Sequence, residues 1–157
     1  MGTPFSDVFD LFLTSITDYK IDNLYSLGSE PTSPFYNYLQ GFLIKAIPNF
    51  SNCVQDLDDI TPVVASTPAY FNVTLTSLEK GILSDLMTYE WFMKEVNDVT
   101  QFNLTLSDTD FKHFSEAQNL REKQEKADKA REMYEQKMTV YGLKHIPWVD
   151  WSNGLYG

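Results

Sequence analysis

The sequence contains few of the side chains from which redox, metal and acid–base sites are usually built. Of its 157 residues, one is a cysteine, Cys53, and two are histidines, His113 and His145. A single cysteine excludes an intrachain disulfide and a thiolate metal cluster, and it is expected to be a small buried thiol in a reducing compartment. The histidines lie far apart in the sequence, and we interpret each as a structural or surface side chain rather than a catalytic base.

Positive charge is also scarce. The chain has 12 Lys and Arg against 22 Asp and Glu, which gives a formal net charge of −10. Proteins that grip nucleic acid do so mainly by neutralising phosphates with Lys and Arg. This charge balance therefore argues against tight binding of DNA or RNA, although it suits a surface past which DNA slides without being held.

Long hydrophobic runs are absent as well. No uninterrupted apolar stretch approaches the roughly 20 residues that a membrane-spanning helix needs. The first residues, MGTPF, lack a basic region and a long apolar core, so neither a signal peptide nor a membrane anchor is expected. We expect a protein that is made and assembled in the cytoplasm without a membrane partner.

Apolar and aromatic residues are plentiful, at 43% and 15% of the chain. That content is enough for one hydrophobic core, and the length fits one compact domain. We predict a mainly α fold: a bundle of about four helices over residues 1–142, with one long charged helix and a long irregular loop, followed by an extended tail at residues 143–157.

Two predicted helices lie in the first third of the chain. The first is predicted to begin with Ser6 as its N-cap, because apolar residues then recur at helical spacing. The second has Ser33 as N-cap and Pro34 at its first position, an arrangement typical of helix starts. Pro48 is predicted to end this second helix.

Residues 49–76 lack helical periodicity and predict a long irregular connection. Connections of this length are usually functional or carry some structure of their own. Weak alternation from Tyr70 to Leu75 indicates a short strand, with pairing between subunits as one option. Asp56, Asp58 and Asp59 offer oxygen ligands to a hard cation, but the loop lacks the EF-hand pattern. A turn or a subunit contact is favoured there, and no metal is assigned.

Two long helices are predicted in the second half of the chain. Thr76 and Glu79 form a capping box that opens a helix to about Val96, followed by a linker to residue 106. A second capping box at residues 107–110 opens the fourth helix, which is predicted to reach about Tyr141 and to end at Gly142. At 1.5 Å per residue this helix is about 50 Å long, longer than a domain of this size needs for its own core.

The middle of the fourth helix is densely charged. Residues 121–137 contain six Lys or Arg and five Asp or Glu. Glu122 with Lys126, and Glu125 with Lys129, have the favourable spacing for ion pairs within a helix. The helix is therefore either a solvated element stabilised by its own ion pairs or an element packed against a neighbouring copy. The residues assigned to such an inter-subunit contact are Arg121, Lys123, Lys126, Lys129 and Arg131.

The last 15 residues are aromatic and apolar without a helical period. Exposed aromatic residues promote aggregation, so this tail needs a surface to lie on. That surface is either its own bundle or another subunit, and Trp and Tyr are typical interface residues. The residues assigned to partner docking are Ile146, Pro147, Trp148, Val149, Trp151, Leu155 and Tyr156.

Motifs for catalysis are missing. The sequence has no Gly-rich phosphate loop, no nucleophile elbow and no paired-histidine metal motif. We therefore expect no enzyme activity, no catalytic residue and no cofactor. A metal-dependent hydrolase that uses Asp56, Asp58 and Asp59 is the less favoured alternative.

Four segments carry a resemblance to a known family. They are residues 42–50 (FLIKAIPNF), 75–83 (LTSLEKGIL), 89–92 (YEWF) and 107–117 (SDTDFKHFSEA), the last leading into the long charged helix. In this order they resemble the head–tail adaptor, or head-completion, proteins in the neck of tailed phages that infect Gram-positive bacteria.

The resemblance implies a virion protein that assembles as a twelve-fold ring beneath the portal. Its C-terminal tail, here residues 143–157, would reach the portal, and the loop at 49–75 would face a neighbouring subunit or the next neck or tail component. DNA would pass through the ring without specific binding. The aromatic length after Pro147 departs from the family pattern. The residues alone also allow a soluble assembly module whose tail binds another protein.

Overall fold

The fold is mainly α-helical, as the sequence predicts. A computed structural model describes residues 2–105 and 110–146, with the side chains of residues 2–98, 100 and 118–146. Its described elements, in chain order, are β1 (Thr3–Pro4), α1 (Phe5–Ser15), α2 (Tyr19–Ser26), α3 (Pro34–Ala46), a 3₁₀ turn (Ile47–Asn49), β2 (Ile60–Thr61), β3 (Tyr70–Phe71), α4 (Ser77–Thr105) and α5 (Asp110–Lys144).

A small antiparallel sheet joins the N-terminus to the irregular connection. Strand β3 is central and pairs with both β1 and β2, in the register Thr3 with Phe71 and Ile60 with Phe71. Gly2 lies so close to this sheet that a Cβ atom at residue 2 would be 2.0 Å from the Phe71 carbonyl oxygen. The predicted strand at 70–75 is thus only two residues long and pairs within the chain, so the option of pairing between subunits is wrong for it.

Helix α1 begins directly where β1 ends. Its N-cap is Pro4, which makes no side-chain capping hydrogen bond, so the predicted N-cap at Ser6 is wrong. The Phe5 amide, which would otherwise be an unpaired helix donor, donates to the Ala69 carbonyl at 3.0 Å. The predicted apolar face of the helix is confirmed, because Val8, Phe9 and Phe12 are buried.

Helices α2 and α3 follow. Helix α2 has no counterpart among the predicted helices and begins at an Asp18 N-cap, whose carboxylate accepts from the Lys20 amide at 2.8 Å. The predicted start of α3 is confirmed, since the Ser33 hydroxyl accepts from the Tyr36 amide at 3.2 Å and Pro34 occupies the first position. Pro48 lies in the 3₁₀ turn that ends this segment.

Helices α4 and α5 form a long antiparallel hairpin. Helix α4 extends through Thr105, so the linker predicted from residue 97 is helical for most of its length. Residues 107–109 of the second predicted capping box lie outside the described residues. Contacts between the helices run in antiparallel order: Glu95 pairs with Lys123 at 2.8 Å, and Tyr89 stacks edge-on against Tyr134 with ring centroids 5.6 Å apart.

The hydrophobic core lies at one end of this hairpin. It is formed by α1, α3, the sheet and the first half of α4, where Ile82, Leu83, Leu86 and Met87 are fully buried. Helix α5 contributes little to it: Ala127, Ala130 and Tyr141 are its buried residues in the part with described side chains. The small alanine side chains let α5 lie close against α4, and the remainder of its described surface is exposed or half-buried.

Candidate functional site

The candidate site is the base of the C-terminal tail, where the last turns of α5 meet residues 50–58. The Asn52 side-chain amide donates to the Met138 carbonyl at 2.9 Å. Gly142 lies in the last turns of α5 beside this contact, and a Cβ atom there would be 3.3 Å from Asn52 Nδ2. The prediction that Gly142 ends the helix is therefore wrong: α5 continues to Lys144, and the glycine instead gives room to the neighbouring loop.

Tyr141 is the central side chain of this site. It is 1% exposed, and its hydroxyl donates to Glu79 Oε1 at 2.7 Å and accepts from the Val54 amide at 3.0 Å. Its ring packs edge-on against Phe50, with centroids 5.2 Å apart. One side chain thereby connects the end of α5, the start of α4 and the loop after the 3₁₀ turn.

Glu79 receives that hydrogen bond while it caps α4. Glu79 is buried, with 1% of its surface exposed. Oε2 accepts from the Thr76 amide at 2.7 Å and from the Thr76 hydroxyl at 2.9 Å, and the same hydroxyl oxygen accepts from the Glu79 amide at 3.3 Å. The predicted capping box is confirmed. Its carboxylate also lies at the positive end of the helix dipole, where negative charge is stabilised.

Cys53 lies beside this pair. Its Sγ is 4.0 Å from Glu79 Oε1 and 3.9 Å from the Tyr141 hydroxyl. Burial raises the pKa of the Cys53 thiol and, more strongly, the pKa of the Tyr141 hydroxyl. Both groups are therefore protonated at neutral pH, which lets Tyr141 act as the donor to Glu79.

His145 links this buried network to the tail. Its ring lies over that of Tyr141, with centroids 4.2 Å apart, and Nδ1 is 2.8 Å from the Tyr141 carbonyl oxygen. Because a carbonyl oxygen only accepts, Nδ1 carries the proton in this contact. The His145 amide donates to the Gly142 carbonyl at 3.1 Å. The chain thus leaves α5 in a fixed direction at His145.

The predicted docking residues of the tail are only partly within the structure. Ile146 is the last described residue and is partly exposed. The others lie outside the described residues: Pro147, Trp148, Val149, Trp151, Leu155 and Tyr156.

The basic residues assigned to an inter-subunit contact are divided by the structure into two groups. Lys123 pairs with Glu95 of α4, and Arg121 and Arg131 pair with acidic residues one turn further along α5. Lys126 and Lys129 make no ion pair within the described residues. The predicted pairs of Glu122 with Lys126 and Glu125 with Lys129 are therefore wrong, since Glu125 pairs with Arg121 at 3.1 Å.

The acidic cluster does not converge on one point. Asp56 Oδ1 accepts from the Asp58 amide at 3.0 Å, and Asp59 Oδ1 accepts from the Asn72 side-chain amide at 2.6 Å. These are turn and loop contacts, one of the two roles favoured from the sequence. Within the described ranges, no group of three His, Cys, Asp or Glu residues is arranged to hold a metal ion.

Comparisons with protein-family models, curated proteins and solved structures find no match to this chain. The described helices include none long and apolar enough to cross a membrane.

Replacing Tyr141 with Phe tests the connection between the three elements. The substitution removes the hydroxyl that donates to Glu79 Oε1 and accepts from the Val54 amide, so we expect the free energy of unfolding to fall by about 1–3 kcal/mol. Tyr134→Phe is the matched control, because the Tyr134 hydroxyl has no hydrogen bond among the described residues, and it should change stability by less than about 0.5 kcal/mol. Urea denaturation measures the free energy of unfolding of both variants. Equal losses of stability would contradict the role of Tyr141 in connecting the three elements.

Stability is also expected to decline in alkaline solution. The ordinary pKa values are 9.0 for cysteine and 10.0 for tyrosine, and folding raises both the Cys53 and the Tyr141 pKa. The stability that these groups contribute is therefore fully present below about pH 9 and is lost as the pH rises through their folded-state values. Urea denaturation between about pH 7 and pH 11 should show this decline, with a shallower slope in Tyr141→Phe than in the unmodified protein. Identical slopes would exclude Tyr141 as a contributor.

Proposed function

We propose that this protein is a non-enzymatic structural subunit of a virion. In this proposal it is a head–tail adaptor that assembles in the host cytoplasm as a twelve-fold ring beneath the portal. It joins the portal to the next neck or tail component, and DNA passes through the ring without specific binding. Residues 143–157 dock on the portal.

The observation that carries the proposal is the buried attachment at the base of the tail. A docking segment binds more tightly when less of its freedom remains to be lost on binding. The hydrogen bond from Tyr141 to Glu79 fixes the end of α5, and the contact of His145 with the Tyr141 carbonyl extends that order to the first tail residues. An ordered base of this kind supports the proposal, because it lowers the entropy that the first tail residues lose on docking.

The helical hairpin and the charge of the chain give further support. Helix α5 is 35 residues long. From residue 118 onward, where its side chains are described, Ala127, Ala130 and Tyr141 are its buried residues, so much of this surface is left for neighbouring subunits. The net charge of −10 disfavours a stable contact with DNA phosphates, which suits a channel through which DNA has to move.

The main alternative is a soluble assembly module whose tail binds another protein. The ordered tail base supports this function equally well, because it requires no self-association. The hydrolase alternative has less support, since the carboxylates of Asp56 and Asp59 are occupied in separate loop contacts and do not form a common site.

Mass measured by light scattering, with and without a portal protein, separates these functions. The adaptor proposal predicts a complex with the portal that contains many copies of this chain. A chain lacking residues 146–157 should keep its helical content and thermal midpoint but lose the portal complex. Tyr19→Ser is the matched control, because Tyr19 is an exposed aromatic residue on α2, and it should still form the complex.

Strict monomers under both conditions would contradict the adaptor proposal. Binding of a single copy to one partner, lost on deletion of the tail and without self-association, would support the assembly module instead.

A further inference from the structure

A groove of about 250 Å³ lies between the end of α1 and the facing sides of α4 and α5. Its apolar lining comes from Phe92 on α4 and from Ala130 and Met133 on α5. Met133 is 45% exposed. The groove therefore presents apolar surface that the described residues leave uncovered.

Most polar groups that line the groove have partners within the chain. The hydroxyls of Ser15 and Thr88 donate to carbonyl oxygens of their own helices. The Asp85 carboxylate, which is mostly buried, lies 2.5 Å from the Lys137 ammonium group, although the two are not aligned for a hydrogen bond. Each of these groups therefore already makes a contact within the chain.

Lys126 and Lys129 differ from these polar groups in their contacts. Both line the groove, both are exposed, and neither has a carboxylate within ion-pair distance in the described part of the chain. The surface therefore combines an apolar floor with two unpaired positive charges in a protein whose net charge is −10. It is complementary to a segment that carries an apolar side chain and two negative charges.

Such a segment is present on the same protein. Val54 is 58% exposed, and Asp56 and Asp58 are exposed two and four residues later. Buried Leu57 holds this loop on the core, and the Val54 amide donates to the Tyr141 hydroxyl. The loop is thus held in place before any partner binds, which reduces the entropy lost on association.

The loop and the groove are too far apart to meet within one chain. Val54 contacts Tyr141, whereas the groove is centred near Ala130, and 11 helical residues separate these positions by about 16 Å. Contact between the two surfaces therefore requires a second copy. Because the surfaces are different, the contact is head-to-tail, and repeating it gives a ring or an open helix.

We propose that the groove lined by Phe92, Lys126, Lys129, Ala130 and Met133 binds residues 54–58 of a second copy of this chain. Val54 occupies the apolar floor, and Asp56 and Asp58 pair with the two lysines. This inference rests on the proposed function, because it supplies the contact between neighbouring subunits of the ring.

Disulfide trapping tests the contact directly. In a Cys53→Ser background, Val54→Cys combined with Met133→Cys should form a ladder of covalent oligomers under mild oxidation, with and without portal protein. Val54→Cys combined with Tyr25→Cys is the control, since Tyr25 is also exposed but lies on α2, away from the groove.

Charge reversal tests the pairing. K126E/K129E should lower the cross-linked fraction more than tenfold, because like charges then face each other, and adding D56K/D58K should restore it. D58K alone is a second partner variant that keeps the Asp56 turn, and it should restore part of the signal. Circular dichroism shows whether each variant is folded.

Three results would overturn the inference: a ladder no stronger than the Tyr25 control, a ladder unaffected by charge reversal, or a ladder lost on deletion of residues 146–157. The last result would assign the groove to the tail. If this contact fails while the full chain still assembles on the portal, only this inference is contradicted. If the chain remains a strict monomer with the portal, the proposed function is contradicted.

Discussion

Glu79 carries a buried carboxylate that connects the start of α4 to the end of α5, and the described fold around it depends on this connection. One oxygen caps the first turn of α4 through Thr76, and the other accepts the hydroxyl hydrogen of Tyr141 near the end of α5. A buried carboxylate without partners is strongly unfavourable, so the start of α4 and the end of α5 are held together. Val54 joins the same network through its amide, which fixes the loop that follows the 3₁₀ turn.

This one network positions both surfaces on which the functional proposals rest. It sets the direction in which the chain leaves α5 at His145, and it holds the loop that carries Asp56 and Asp58. Between the two helices, the small Ala127 and Ala130 side chains and the ion pairs of Glu95 with Lys123 and of Asp85 with Lys137 maintain close packing. Lys126 and Lys129 line the groove between α4 and α5 and make no ion pair within the described residues.

Local signals in the sequence predict much of this fold. Contacts between residues that are far apart in the sequence cannot be predicted in this way. Ser33 and Glu79 are predictable as capping residues because their partners lie within three residues. The predicted N-cap at Ser6 is wrong because the Phe5 amide donates to Ala69, which lies 64 residues away in the sequence. The pairing of Glu79 with Tyr141 has no local signature, so the sequence predicts the capping box but not this second role of Glu79. The predicted ion pairs of α5 are wrong because spacing alone does not choose between neighbours on either side.

The central claim is that Glu79 and Tyr141 stabilise the fold through each other. A double-mutant cycle with Glu79→Ala and Tyr141→Phe measures this most directly. Each substitution also costs stability by itself, through lost capping or lost volume, and these costs are the same in both backgrounds and cancel in the cycle. We predict a coupling free energy of about 1–3 kcal/mol, as expected for a buried hydrogen bond to a charged group. Strictly additive effects in urea denaturation, with coupling near zero, would contradict the account.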